Sequence, residues 1–91
     1  MSHIDLEIIS LDQQIFDGKV ASIVVPGADG QLTILPHHLP LVTPLKPGEI
    51  VIRETDGKEK YLAVSNGFLT VAENKITILA DNADLLDSLN E

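Results

Sequence analysis

Glycine placement constrains this chain more than any other feature. All six glycines follow a turn-forming residue, in Asp17-Gly18, Pro26-Gly27, Asp29-Gly30, Pro47-Gly48, Asp56-Gly57 and Asn66-Gly67, and none interrupts an apolar segment. Asp-Gly and Asn-Gly supply the positive-φ residues that tight hairpins need. Between them lie short segments rich in β-branched residues: IDLEII, VASIVV, QLTIL, EIVIRE, KYLAV, FLTVA and KITIL. Several alternate with period two. Ile4, Leu6 and Ile8 oppose Asp5 and Glu7, and Ile76 and Ile78 alternate with Lys75, Thr77 and Leu79. Seven or more strands in 91 residues predict an all-β fold, an antiparallel sandwich or barrel. A single open sheet of that size would leave one face uncovered.

The last stretch, ADNADLLDSLNE, breaks this pattern. It has no Gly, Pro or β-branched residue, and Leu85, Leu86 and Leu89 fall near helical spacing behind Asp81 or Asn82 as an N-cap. The expected organisation is a β-sandwich domain over residues 1–82 and a short tail or start of a helix over 83–91. At most two helical turns fit there, and such a piece is marginal alone.

Charge narrows the partners. Fourteen acidic against six basic residues give a net charge of −8, and Lys19, Lys46, Arg53, Lys58, Lys60 and Lys75 form no run. Nucleic acid and anionic lipid are polyanions, so neither is an expected partner; a basic protein surface is a more natural one. The absence of Cys removes disulfides, thiolate nucleophiles and Cys-based zinc sites. Asp5 and Glu7 exclude a signal peptide at the start of the sequence, and no apolar run approaches the roughly 20 residues that span a bilayer.

The stretch Gly30–Gly48, GQLTILPHHLPLVTPLKPG, carries four of the five prolines and two of the three histidines. His37 and His38 are neighbours on an extended chain and point to opposite faces, so they do not readily share a metal. Further ligands would have to come from His3 and carboxylates. No G-x-S-x-G, H-E-x-x-H or P-loop is present, and Ser65 within VSNGF reads as part of a hairpin turn. Prolines at 36, 40, 44 and 47 force extended backbone and remove four amide donors. With Leu35, Leu39, Leu41, Val42 and Leu45 between them, the segment is either a corner between two sheets or a rigid docking surface, and a stiff crossover can be both.

The order G-x-L-x-I-L-P-x-H-x-P-L-x-T-x-L-x-P-G from Gly30 to Gly48 resembles the epsilon subunit of bacterial and chloroplast F-type ATP synthases. LEIISLDQQIFDGKVASIVVPGADG and YLAVSNGFLTVAENKITILAD resemble flanking strands of that family, so the likeness runs from about Ile4 to Asp81. It implies a β-sandwich of two five-stranded sheets. It also implies a non-catalytic subunit of the rotary ATP synthase, without cofactor, metal or catalytic residues. Such a subunit stands in the central stalk, grips the gamma subunit, rests on the c-ring and so serves the alpha3beta3 head indirectly. Residues matching the family's gamma contacts are Ser10, His38 and Thr43, and those matching its c-ring contacts are Asp29, Gly30 and Gln31. Gln31 is neutral where the family is often acidic, with Asp29 as the nearby charge, and His37 falls at a variable position.

The implied location is peripheral, on the cytoplasmic face of a bacterial inner membrane or the stromal face of a thylakoid, without insertion. The family's C-terminal helical hairpin would begin where this sequence stops, at Glu91. The I/L-D-x-x-R-A nucleotide motif of some members finds only Leu89-Asn90-Glu91, or Leu86-Asp87 running into Asn90-Glu91. Coupling without inhibition by that hairpin is therefore the expectation. The competing reading is a free-standing sandwich that binds a small ligand. With Phe16, Tyr61 and Phe68 as its only aromatics, the chain is poorly equipped for it.

Overall fold

The computed structural model describes residues 3–11 and 13–86. Nine strands form among them: β1 (Ile4–Ser10), β2 (Gln13–Gly27), β3 (Gly30–Ile34), β4 (Leu41–Leu45), β5 (Gly48–Glu54), β6 (Glu59–Val64), β7 (Gly67–Ala72), β8 (Lys75–Ala80) and β9 (Ala83–Leu86). The long β2 organises them. Its first half pairs antiparallel with β1, from Ser10↔Gln13 to Ile4↔Val20. From Val20 onward it pairs with β5 and then also with β3. Counted as two halves, β2 gives each layer five strands, in the orders β2–β1–β8–β7–β4 and β3–β2–β5–β6–β9. The layers meet again where Gly27 of β2 pairs with Leu45 of β4.

Alternation sets what is buried. β1 turns Ile4, Leu6 and Ile8 inward, β8 turns Ile76 and Ile78, and β5 turns Ile50 and Ile52; all are within the buried core. Among the described residues no polar or charged side chain is buried, so the interior is held by aliphatic packing alone. β1 and β8 pair in parallel, whereas the other strand pairs are antiparallel.

Three expectations need correction. Asp17-Gly18 is not a turn: both residues lie inside β2, opposite Glu7 and Leu6. VSNGF is not a hairpin either, because β6 and β7 belong to different layers and Asn66 only bridges them. Ala83–Leu86 begins no helix but forms β9, paired antiparallel with β6 through Val64↔Ala83. The edge of β6 offers backbone partners that a two-turn helix would forgo, and tertiary pairing overrides weak local preference. The remainder of the expected helix, 87–91, lies outside the described residues.

The proline stretch resolves into β4 and two corners. Pro44 sits in a strand whose main partner is β7, an edge placement that tolerates a missing amide. The Lys46 amide donates to the Pro26 carbonyl at 2.8 Å and the Ala28 amide to the Pro44 carbonyl at 3.0 Å, stitching the corner to the β2–β3 turn.

Gly67 opens β7 against the backbone of β8, and a Cβ there would collide with the Leu79 carbonyl oxygen. Gly67→Ala is expected to cost about 1–3 kcal/mol, as overpacking does, seen as a lowered urea midpoint with an unchanged slope.

Candidate functional site

The six residues expected to contact partners fall into three places. Asp29 lies in the two-residue turn with Ala28 between β2 and β3, and Gly30, at φ 134°, and Gln31 open β3 opposite Gly27 and Pro26. Asp29 and Gln31 are exposed. His38 lies in the loop 35–40, separated from that turn by the whole length of β4. Its Nδ1 lies 2.7 Å from the Leu39 carbonyl oxygen. A carbonyl only accepts, so Nδ1 carries the proton. Ser10 and Thr43 are half-buried near the rims of one layer. Ser10 pairs with Ala80, and Thr43 faces Leu69 while its hydroxyl donates to the Pro44 carbonyl at 3.2 Å.

Between Ser10 and Thr43 lies a feature that sequence reasoning missed. Pro44 pairs with Phe68, Phe68 with Leu79, and Leu79 with Ile9. Inward-facing residues alternate with these four, so the row stands on the outer face of β4, β7, β8 and β1. Four apolar residues in register thus cross about 14 Å of sheet at the usual strand spacing. Phe68 and Leu79 are each more than half exposed, at 55% and 53%, and flanking Leu11 and Val42 reach 83% and 71%. Leu11, Asn66 and Asp81 rim an open hollow beside the row.

Along the same face the chemistry changes. Thr70 and Thr77 come next, then Lys75 with Glu7 at 3.5 Å and Lys19 with Asp5 at 3.1 Å. The available signal was phase: Phe68 and Leu79 are bulky apolar residues out of step with the buried Leu69, Val71, Ile76 and Ile78. Large exposed apolar patches of this kind mark contact surfaces.

No group of three His, Cys, Asp or Glu gathers among the described residues. No helix among them is long and apolar enough to cross a membrane. The opposite layer carries a polar cluster on its outer face. There Arg53 donates to Glu59 Oε2 at 2.6 Å through Nη2, and Tyr61 Oη donates to Glu59 Oε1 at 2.7 Å. The Tyr61 hydrogen bond, then those from Arg53, hold the Glu59 carboxyl below the ordinary carboxylate range. The same bond and the carboxylate's charge push the Tyr61 phenol up.

A sandwich with one apolar outer face can be compared with known proteins. The family model for the ATP synthase delta/epsilon chain beta-sandwich domain matches residues 3–85. The chain belongs to this family. Among curated relatives, it is 43% identical over 91 residues to the ATP synthase epsilon chain of Xylella fastidiosa. It is 37% identical over 91 residues to that of Alkalilimnicola ehrlichii. Each match takes in all of this chain and 65% of the relative, so the chain spans about two thirds of their length.

Among solved structures, a chain of the Euglena gracilis mitochondrial ATP synthase (OSCP/F1/c-ring, rotational state 1) superposes with a TM-score of 0.89 at 25% identity. That match covers 96% of this chain and 57% of the other. A chain of the Tetrahymena thermophila mitochondrial ATP synthase central stalk and c-ring shares the fold, with a TM-score of 0.73 at 18% identity, over 88% of this chain and 64% of the other. The delta/epsilon sandwich family is the one that the Gly30–Gly48 motif resembles.

Tyr61 is the only tyrosine and there is no tryptophan, so alkaline absorbance reports it alone. Its titration midpoint is expected above that of free tyrosine, and Glu59→Gln should bring it back down. A raised phenol stabilises the fold fully below the ordinary value of about 10, and that stabilisation is lost as pH rises through the folded value. The depressed Glu59 contributes above the ordinary carboxylate pKa and loses its contribution as pH falls through the folded one. A midpoint indifferent to Glu59→Gln would contradict the bond.

Proposed function

We propose that this chain acts as a non-catalytic central-stalk component of an F-type ATP synthase, docking the gamma subunit through the outer face of the β4–β7–β8–β1 layer. The observation that carries this reading is the exposed row Ile9–Leu79–Phe68–Pro44 on a sandwich of the delta/epsilon family. Such a row has little to gain from water and much from a complementary protein surface. Ser10 and Thr43 pair with the buried Ala80 and Leu69, so their side chains turn to the other side of the layer from the row, and in this reading the partner meets them only at the layer's rims. His38 extends the contact beyond the far end of β4.

The turn Asp29-Gly30-Gln31 is the proposed c-ring contact. It is exposed, and the Ala28 and Lys46 amides anchor it to the β4 corner, so it can bear on a partner without yielding. Two contacts on one stiff body, one to the stalk and one to the ring, are what passing rotation from ring to stalk requires. In this role the chain is held at the cytoplasmic face of the bacterial inner membrane by its partners.

Binding to purified gamma subunit, followed by calorimetry, tests the reading. Phe68→Glu and Leu79→Glu are each expected to cost about 2 kcal/mol or more of binding, the scale of interface hot spots. Both side chains are more than half exposed, so the unfolding free energy from urea titration should stay within about 0.5 kcal/mol of the parent. Absence of binding by the parent chain would overturn the assignment. Combining Asp29→Asn with Gln31→Ala should leave gamma binding intact and weaken retention of the chain on c-ring-containing complexes. Equal retention would remove the turn from the ring contact.

A further inference from the structure

The loop 35–40, which carries His38 and Leu39, has few torsions left to set. Pro36 and Pro40 fix their own φ, and each restricts the residue before it, Leu35 and Leu39, to extended backbone. The His38 amide donates to the Leu35 carbonyl at 3.2 Å, which closes a four-residue turn with Pro36 second and His37 third. His37 has φ 66°. Proline second and positive φ third define a type II turn, whose third position normally belongs to Gly or Asn. A histidine there favours type I, which differs from type II by a flip of the peptide between Pro36 and His37. Something outside the turn therefore selects the type II form.

That selecting group is the carboxamide of Asn74. Its Oδ1 accepts the His37 amide at 2.7 Å, the N–H of the peptide that would flip. Its Nδ2 donates to the His3 carbonyl at 2.9 Å, and its own carbonyl accepts the Asp5 amide at 3.2 Å. Both ends of the carboxamide are thus engaged, and its orientation is fixed by the start of β1. Asn74 is itself held at φ 59° as second residue of the two-residue β7–β8 turn, after Glu73 at φ 52°. The hairpin turn and the loop stand at the same end of the layer, since Leu41 pairs with Val71 and Ala72 with Lys75, so the turn aims the acceptor directly at the loop.

We infer that Asn74 is a positioning residue for docking: by capturing the His37 amide it holds the Leu35–His38 turn in its type II form and presents His38 and Leu39 preordered to the partner. The inference rests on the proposal that this face binds the gamma subunit. Preordering matters because apparent affinity scales with the fraction of molecules in the competent form.

Four chains separate the possibilities: the parent, Asn74→Gly, His37→Gly, and the two changes together. Glycine at 74 keeps the positive φ and removes only the carboxamide, and glycine at 37 favours type II unaided. A strong Pro36 Hα–His37 HN cross-peak in NMR marks the type II peptide, and amide exchange at His37 reports its hydrogen bond. In Asn74→Gly the cross-peak should weaken, the amide should lose protection, and gamma binding should weaken roughly three- to tenfold. His37→Gly alone should bind within about twofold of the parent, and the double variant should recover both the cross-peak and most of the binding.

Persistence of the type II cross-peak in Asn74→Gly overturns the role of the carboxamide. A flipped turn with unchanged affinity, or a double variant no better than Asn74→Gly, overturns the link to docking. Failure of the parent to bind gamma overturns the reading of the face instead, while the NMR arms still decide the turn.

Discussion

Everything in this fold depends on one strand serving two layers. Val20 of β2 is paired with Ile4 on one side of the sandwich and with Glu54 on the other. The backbone hydrogen bonds of both sheets therefore run through a single fifteen-residue strand. The layers are fixed relative to each other by covalent geometry at that bend and by the Gly27–Leu45 pairing at the far corner. The aliphatic core between them needs no polar anchor to set its register, because the bend has already done so.

Given that frame, the two sides of the β4–β7–β8–β1 layer are apolar for different reasons. Inward residues such as Leu69 and Ile78 are fully buried and serve stability. Outward Phe68 and Leu79, one position away, contribute little to the core and remain available. The far end of the same face is a lattice of Lys19–Asp5 and Lys75–Glu7 pairs at the surface. Exposed pairs of this sort add little stability, but they keep one end of the sheet wet and leave the apolar row to define where a partner sits. The Arg53–Glu59–Tyr61 cluster gives the opposite layer a polar outer patch.

The sequence made the fold class plain because strand alternation and turn chemistry agree over most of the chain. β1, β3, β5, β6, β7 and β8 each coincide with a segment visible by eye. The first half of β2 was hidden by Asp17-Gly18, a pair that means a turn when the chain is free to turn but lies flat when β1 supplies its partners. β4 was hidden by its prolines and β9 by its leucines, since edge placement and cross-strand pairing are tertiary facts with no local mark. The apolar row was hidden for the same reason. Ile9, Phe68, Leu79 and Pro44 come from four separate segments, and only the register between strands aligns them. The Asn74 carboxamide was likewise out of reach, because it acts 37 residues away from where it sits.

The parallel pairing of β1 with β8 has a consequence for how the domain comes into being. Asp5 must find Lys75, and Ser10 must find Ala80, so the second edge of the first strand stays open until β8 has been made. Contacts at that sequence separation slow folding, because a large loop must close before they reward it. No amino-terminal portion of the sandwich can complete its sheet during synthesis, and no carboxy-terminal portion can do without the first ten residues. The first strand is therefore a condition for closing its sheet, and its removal would leave the first half of β2 and one edge of β8 without backbone partners.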